Sequence, residues 1–420
     1  MIENPFTSKT FTNIWVKFFG GHQNTSKFSG IEGIQFIKGN WGIYHNLGKT
    51  HTKGMFYSIE NPISLQGKTC LIYDVPSYFK CPGPNVPEST TLLKIRQYPG
   101  FLIELDQFKD LQDYMRHKFQ KSSRYKLNKY QKRLNECFDI KPVMHDAALN
   151  LDEFNKIFEK FRSLLVKRFE GKGEHNNNLD IEEWEFYKNV AFPMIQEKKA
   201  GLFVVYNDGE PIAITLNYFS GDIIFDAITV FDIDYAKFNL GSINIMFLIQ
   251  WGIKNGYKIL DFSKGYFDYK TRWATKKYDF EYHILYGTKS ILSKIKGKSL
   301  ATLLKLKQYL REKNLNHLLN KIRFAIQPKE KSEPNAINGR TKKFIFKDYD
   351  DSNGLPLGKE TVVTPETRAL LFEFLYLFGE NSREVEIYKL KDSDNLFVFM
   401  GKNIKKMAVA INDPLPPNYV

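Results

Sequence analysis

Ile223-Ile-Phe-Asp-Ala-Ile-Thr-Val230, a turn from Phe231 to Leu240, a helix opening at Gly241-Ser242 and then Lys258-Ile-Leu-Asp-Phe262 form a strand, helix, strand unit. The first run is apolar and β-branched, which is strand chemistry. The helical run ends at Gly256, a residue suited to the left-handed conformation that terminates helices. A connection of this length predicts two parallel strands joined by a right-handed crossover. A helix that starts on Gly-Ser directly after a buried strand leaves backbone N–H groups free where a phosphate can sit.

Upstream, Leu202–Tyr206, Ile212–Phe219 and Ile223–Val230 are separated by Asn207-Asp-Gly-Glu210 and Ser220-Gly-Asp222, which are hairpin signals. An antiparallel meander therefore feeds the crossover. Before it, Asn150 with Glu153 and Asp180 with Glu183 have the spacing of capping boxes, so helices are expected over 151–170 and 181–198. The polar loop Gly171–Asn178 between them reads as a solvated connector, with a substrate lid as the alternative. From Gly33 to Asp106 short β-rich runs alternate with turns, including one expected at Tyr98-Pro-Gly100. Leu111, Met115, Phe119, Leu127, Tyr130 and Leu134 then fall at helical spacing among many Lys and Arg residues, with a break expected near Ser122-Ser123.

The chain has 420 residues and a formal charge of +14, concentrated in one place. Between Lys289 and Lys347 sixteen Lys or Arg stand against three Glu, while the rest is nearly neutral. A basic arm on neutral domains points to local contact with phosphates or anionic lipid, rather than to a general nucleic-acid binder or a DNA partner. Its Leu and Ile residues, from Leu292 to Leu310, make it amphipathic. Pro328–Gly339 reads as a linker, and residues 341–420 as a small α/β module with a helix from Pro365 to Gly379 and no evident chemistry.

Cys70, Cys81 and Cys137 have no C-x-x-C spacing, and the eight His residues show no H-x-H or H-E-x-x-H, so neither a disulfide framework nor a metal site is expected. With no apolar run long enough to span a bilayer and no signal-peptide pattern, a cytoplasmic protein is expected, peripheral to the inner membrane face at most.

Asp232-Ile-Asp-Tyr235, Asn239-Leu-Gly-Ser242, Gly256, Asp261-Phe262, Gly265 and Asp268-Tyr-Lys-Thr-Arg-Trp273 together resemble the GNAT acyltransferase superfamily. The likeness is to its bacterial cellulose-biosynthesis or BioF2-like branch, related to the tandem-GNAT Fem-type peptidyltransferases. The superfamily's strict Arg/Gln-x-x-Gly-x-Gly/Ala turn is replaced here by Asn239-Leu-Gly-Ser242. The resemblance implies an α+β fold of tandem GNAT-like halves, with mixed, mostly antiparallel sheets flanked by helices. Residues 1–137 would be a degenerate first half, 138–288 an acyl-CoA-binding domain, 289–340 a basic helical arm and linker, and 341–420 the C-terminal module.

The implied chemistry is direct attack of an amine or hydroxyl, on an envelope or exopolysaccharide-related acceptor, upon acetyl-CoA or another acyl-CoA. Val230, Asn239, Leu240, Gly241, Ser242 and Ile243 would cradle the donor. Asp261 is the expected base, because a carboxylate closing a buried strand is desolvated. Lys270 would stabilise negative charge, Tyr269 would protonate the leaving thiolate, and Asp268 is a further acid–base candidate. Two alternatives stand beside this: aminoacyl-tRNA-dependent transfer, with the Lys121–Arg133 helix and the arm on RNA, and an inactive GNAT-like binding protein. The arm, 289–347, is the expected contact with an anionic membrane.

Overall fold

The computed structural model describes residues 4–21, 23–83, 86–170, 176–313, 344–350, 356–360, 363–390 and 396–410. Most of the polar loop 171–178 and all of the linker 328–339 lie outside these residues, as does the second half of the basic arm up to residue 343.

In chain order the strands are β1 (Ile31–Glu32), β2 (Phe36–Lys38), β3 (Ile43–Asn46), β4 (Ser58–Ile59), β5 (Thr69–Pro76), β6 (Thr90–Glu104), β7 (Ile140–His145), β8 (Ala200–Asn207), β9 (Glu210–Ser220), β10 (Ile223–Phe231), β11 (Ile259–Lys264) and β12 (Lys276–Gly287). The helices among them are α1 (Lys9–Phe19), α2 (Leu111–Lys118), α3 (Lys121–Cys137), α4 (Leu151–Glu170), α5 (Ile181–Gln196), α6 (Leu240–Lys254), α7 (Asp268–Trp273) and α8 (Ile291–Glu312).

Ten strands form one mixed sheet in the order β2-β3-β5-β12-β6-β11-β10-β9-β8-β7. Only β3 with β5 and β10 with β11 pair in parallel, one such pair in each half of the sheet. β12, the last strand of the second half, lies against β5 of the first. Conversely, β6 of the first half lies against β11 of the second. Each half thus supplies a strand to the other, and β6 with β12 forms a long central ladder from Thr90↔Gly287 to Leu102↔Lys276. Side chains on the two faces of this sheet build two large cores. One holds α1, α4 and α5; the other holds α2, α3 and α6.

The turn expected at Tyr98-Pro99-Gly100 is absent, because β6 continues through it with only a register shift against β12 between Arg96 and Pro99. Gly100 lies under the Tyr278 ring, where a Cβ would come within 2.2 Å of the ring, so its glycine permits close packing rather than a reversal. The helix break falls at Phe119-Gln120, just before the expected Ser122-Ser123, because Phe119 is extended and packs edge-on against Trp273.

Residues beyond 343 form a five-stranded antiparallel sheet (β13 Phe344–Asp348, β14 Leu357–Lys359, β15 Glu386–Leu390, β16 Leu396–Met400, β17 Lys405–Ala410) and α9 (Pro365–Phe378). Phe372 of α9 packs on Phe138, Tyr235 and Phe238, which joins this module to the core beneath α6.

Candidate active site

β10 and β11 pair for only three residues, Ile223↔Ile259, Ile224↔Leu260 and Phe225↔Asp261. Beyond that point β10 stays with β9 as far as Phe231↔Ala213, whereas β11 stays with β6 as far as Lys264↔Gly100. The two parallel strands therefore part, and the β11-facing edge of residues 226–231, which includes the backbone of Val230, lies outside the ladder. A bulge at Asp226–Ile228 marks the point of separation. An extra residue bends one strand and re-aims its side chains, as expected where pairing ends.

Two buried carboxylates and two lysines converge on this apex. Asp226 is 7% exposed; Thr229 Oγ1 donates to its Oδ1 at 2.8 Å. A polar chain supports it from behind: Asn244 Nδ2 of α6 donates to Thr215 Oγ1 at 3.1 Å, and Thr215 lies 3.1 Å from Thr229 Oγ1. Burial raises the Asp226 pKa, opposed by the Thr229 hydrogen bond and by the charges of Lys270 and Lys53.

Lys270 of α7 is 5% exposed and donates to the carbonyls of Lys264 at 2.8 Å and Ser263 at 3.4 Å. Burial lowers its pKa to about 8, against the attraction of Asp226 and Asp261. Lys53, in the loop before β4, is also brought to about 8, by burial first and by Lys264 second, although part of its side chain reaches solvent. The first half of the chain thus contributes directly to the apex.

Asp261 differs from Asp226 in how fully it is satisfied. It is completely buried. Its carboxylate accepts from Tyr278 OH at 2.6 Å, Tyr78 OH at 2.8 Å and the Ser263 N–H at 2.7 Å. Burial lifts its pKa to about 6 despite these donors. Ser263 takes a left-handed backbone, φ 62°, which closes an Asx turn on Asp261 and directs the chain away from β10. Next to it, Lys264 Nζ pairs with the buried Asp74 at 2.5 Å.

Tyr269 is 40% exposed at the rim; its phenol pKa is raised by burial and by the nearby charge of Asp226, while Arg168 acts the other way. Arg168 in turn lies over the Phe231 ring at 4.6 Å. Asp268 is exposed on the first turn of α7 and stands apart from the buried cluster.

At the start of α6, Asn239 adopts a left-handed conformation, φ 55°, and its Oδ1 accepts from Ser242 Oγ at 3.0 Å. The N–H groups of Ser242 and Ile243 already donate to the Asn239 carbonyl, at 3.0 and 3.2 Å. Leu240 is fully buried, so any contact from outside at this turn falls to the N–H group of Gly241. The side chains of Leu240 and Ile243 are buried in the core. Gly241 itself is packed by a protein group, since a Cβ there would come within 2.6 Å of the Phe231 ring. Gly241→Ala is accordingly expected to cost about 1–3 kcal/mol through overpacking. Phe231→Leu should recover most of that loss, and thermal unfolding of the two single variants and the double variant measures the coupling.

The turn between β10 and α6 is held from outside. Lys167 Nζ reaches Asp232 and Asp234 at 2.6 Å each, and Arg368 of α9 meets Asp234 at 2.6 Å and Asp232 at 3.4 Å. The C-terminal module, in which the sequence showed no chemistry, thus braces the loop that sets the α6 N-terminus.

Buried groups with displaced pKa values make stability depend on pH, the carboxylates on the acid side and the lysines, Lys270 with Lys53, on the basic side. Asp261 binds its proton up to about pH 6 in the fold and to 3.8 when unfolded, so stability falls as pH rises across that window. Lys270 releases its proton at about 8 in the fold but near 10.5 when unfolded, so stability recovers as pH rises from 8 to 10.5. Chemical denaturation across pH is expected to show a shallow minimum between 6 and 8, with each limb changing by on the order of 2–3 kcal/mol.

Asp226, Lys53 and Tyr78 were not among the residues picked out in the sequence. The signal for Asp226 was present, as a carboxylate inside an otherwise apolar strand; no local pattern marks Lys53 or Tyr78. Among the described residues no cluster of three or more His, Cys, Asp or Glu is placed to hold a metal ion. The three cysteines are free and buried.

A family profile described as an acetyltransferase (GNAT) domain matches residues 121–271, from the start of α3 into α7, a segment that contains Asp226, Asp261 and Lys270. The match supports an acyltransferase of the GNAT superfamily, and α+β is the fold class. No curated protein matches the chain. Solved structures similar to it include a conserved protein of unknown function from Bacteroides thetaiotaomicron VPI-5482, at 11% identity over 68% of this chain and 92% of its own, with a TM-score of 0.43. FemX aligns at 10% identity over 60% and 83%, with a TM-score of 0.39. A GCN5-related N-acetyltransferase from Kribbella flavida aligns at 8% identity over 67% and 96%, with a TM-score of 0.27.

Proposed function

We propose that the protein transfers an acyl group from an acyl-CoA thioester to an amine or hydroxyl acceptor by direct attack in the cleft between β10 and β11. The observation that carries this reading is the three-residue parallel pairing that opens beside Asp226, Lys53 and Lys270. The backbone edge of 226–231, which has no β11 partner, is suited to pair with the amide-bearing pantetheine arm. The Gly241 N–H group and the α6 dipole would face its phosphates.

In this reading Asp226 accepts the acceptor's proton. Burial raises its pKa, which makes it a stronger base than a solvated carboxylate. Lys270, still mostly cationic at pH 7, stabilises the negative charge that develops on the thioester oxygen. As the new C–N or C–O bond forms, the C–S bond breaks and the thiolate leaves with the carrier. Tyr269 stays protonated because its pKa is raised, which suits a hydrogen-bond donor at the rim better than a proton donor. Asp261, saturated by two phenols and a backbone N–H, acts as a positioning residue for Tyr78, Tyr278 and the departure of β11.

The test is free-thiol release from a panel of acyl-CoA donors with amine and sugar acceptors. Turnover that requires both a donor and an acceptor supports the reading; absence of release across the panel removes it.

A groove of about 920 Å³ along α3 favours a second reading. Lys121, Lys126, Lys129, Tyr125, Tyr130 and Tyr376 line it, offering cations and rings to a phosphate-bearing polymer such as an aminoacyl-tRNA. Binding of tRNA that falls steeply with salt, together with no thioester turnover, would favour that reading over the first.

A further inference from the structure

α8 is an amphipathic helix turned inside out. Its sheet-facing side consists mainly of small or polar residues: Ser293, Gly297, Ala301, Leu304 and Gln308 are buried against β12, β6 and β5. The approach is close enough that a Cβ on Gly297 would come within 2.3 Å of the Tyr286 ring. The larger apolar residues face outward, with Ile291 78%, Leu292 63%, Ile295 57%, Leu303 49%, Leu306 55% and Tyr309 57% exposed. At 3.6 residues per turn these six fall within an arc of about 120°, centred opposite the buried side.

Lysines border that arc on both sides, Lys294, Lys298 and Lys305 along one edge and Lys296 and Lys307 along the other. Among the described residues none of the five is in an ion pair. An apolar strip between two rows of long cationic side chains matches a bilayer surface, with the strip in the acyl boundary and the ammonium groups at lipid phosphates. The outward rows argue against the other occupants. A second copy would bring lysines against lysines, and residues 314–343 of the same chain carry seven Lys or Arg against two Glu. No helix of the described residues is long and apolar enough to cross a membrane, so α8 would lie on the surface.

We propose that α8 is an interfacial anchor that seats the protein flat on an anionic phospholipid bilayer through Leu292, Ile295, Leu303, Leu306 and Tyr309, with the flanking lysines on lipid phosphates. This stands independently of the chemistry in the cleft.

The test is co-sedimentation of the full chain with phosphatidylcholine vesicles containing or lacking phosphatidylglycerol. Binding is expected only with the anionic lipid, and weaker at high salt. Leu303→Asp with Leu306→Asp should reduce it about tenfold or more. Lys294→Gln with Lys298→Gln and Lys305→Gln should reduce it less, with unchanged thermal unfolding in both variants. Equal binding to both vesicle types, Asp variants that bind like wild type, or a concentration-dependent dimer that the Asp variants abolish would each overturn the proposal. So would RNA binding of the full chain with no vesicle binding.

Discussion

Asp226→Asn is expected to lower kcat/KM by about 10²–10⁴-fold, the range for loss of a positioned general base, without lowering the melting temperature. The two halves of that expectation have one cause. Asp226 is buried at the point where β10 leaves β11, with one hydrogen bond from Thr229 and two cationic neighbours, so its charge is held at a cost in the fold. An amide keeps the shape and the Thr229 contact while removing both the charge and its desolvation cost. Steady-state thiol release and thermal unfolding on the same preparation check it. A variant that turns over normally would remove Asp226 from the chemistry. A variant that loses both activity and stability would make Asp226 a structural residue.

Lys270→Met carries the second large effect. Removing the cation takes away stabilisation of charge on the thioester oxygen, for which the loss of a single donor is typically about 10²–10³-fold in kcat. It also removes a charge that favours the ionised form of Asp226, so the acid limb of the pH–rate profile should move to higher pH. The rise in stability between pH 8 and 10.5 should shrink to the part that Lys53 contributes. A lysine with a purely structural role would lower the melting temperature and leave the position of the acid limb unchanged.

The part of the fold that could be read in the sequence is the part made by neighbours along the chain. Asp208-Gly209 and Gly221 mark the hairpins of the β8, β9, β10 meander, and Gly256 closes α6, because each turn needs a backbone that few residues adopt. The exchange of β6 and β12 between the halves has no local signature, since it depends on pairings such as Leu285↔Leu92 across much of the chain. Tyr98-Pro99-Gly100 read as a turn for the same reason: only the distant Tyr278 ring explains the glycine.

The site divides along the same line. Asp261, Lys270 and the α6 start lie within one short segment and could be named from it. Their partners Tyr78 and Lys53, and the Arg368 brace, arrive from distant elements. Asp226 was legible as an anomaly, but its meaning depends on the bulge and the three-residue ladder beside it.

Hydrogen exchange of the full chain with and without acetyl-CoA tests the central claim most directly. If the thioester carrier lies between the parted strands, exchange should slow in 226–231 and at Gly241, the backbone that the carrier would meet. Protection confined to 120–130, or none at saturating carrier, would contradict the assignment of the cleft as the donor site.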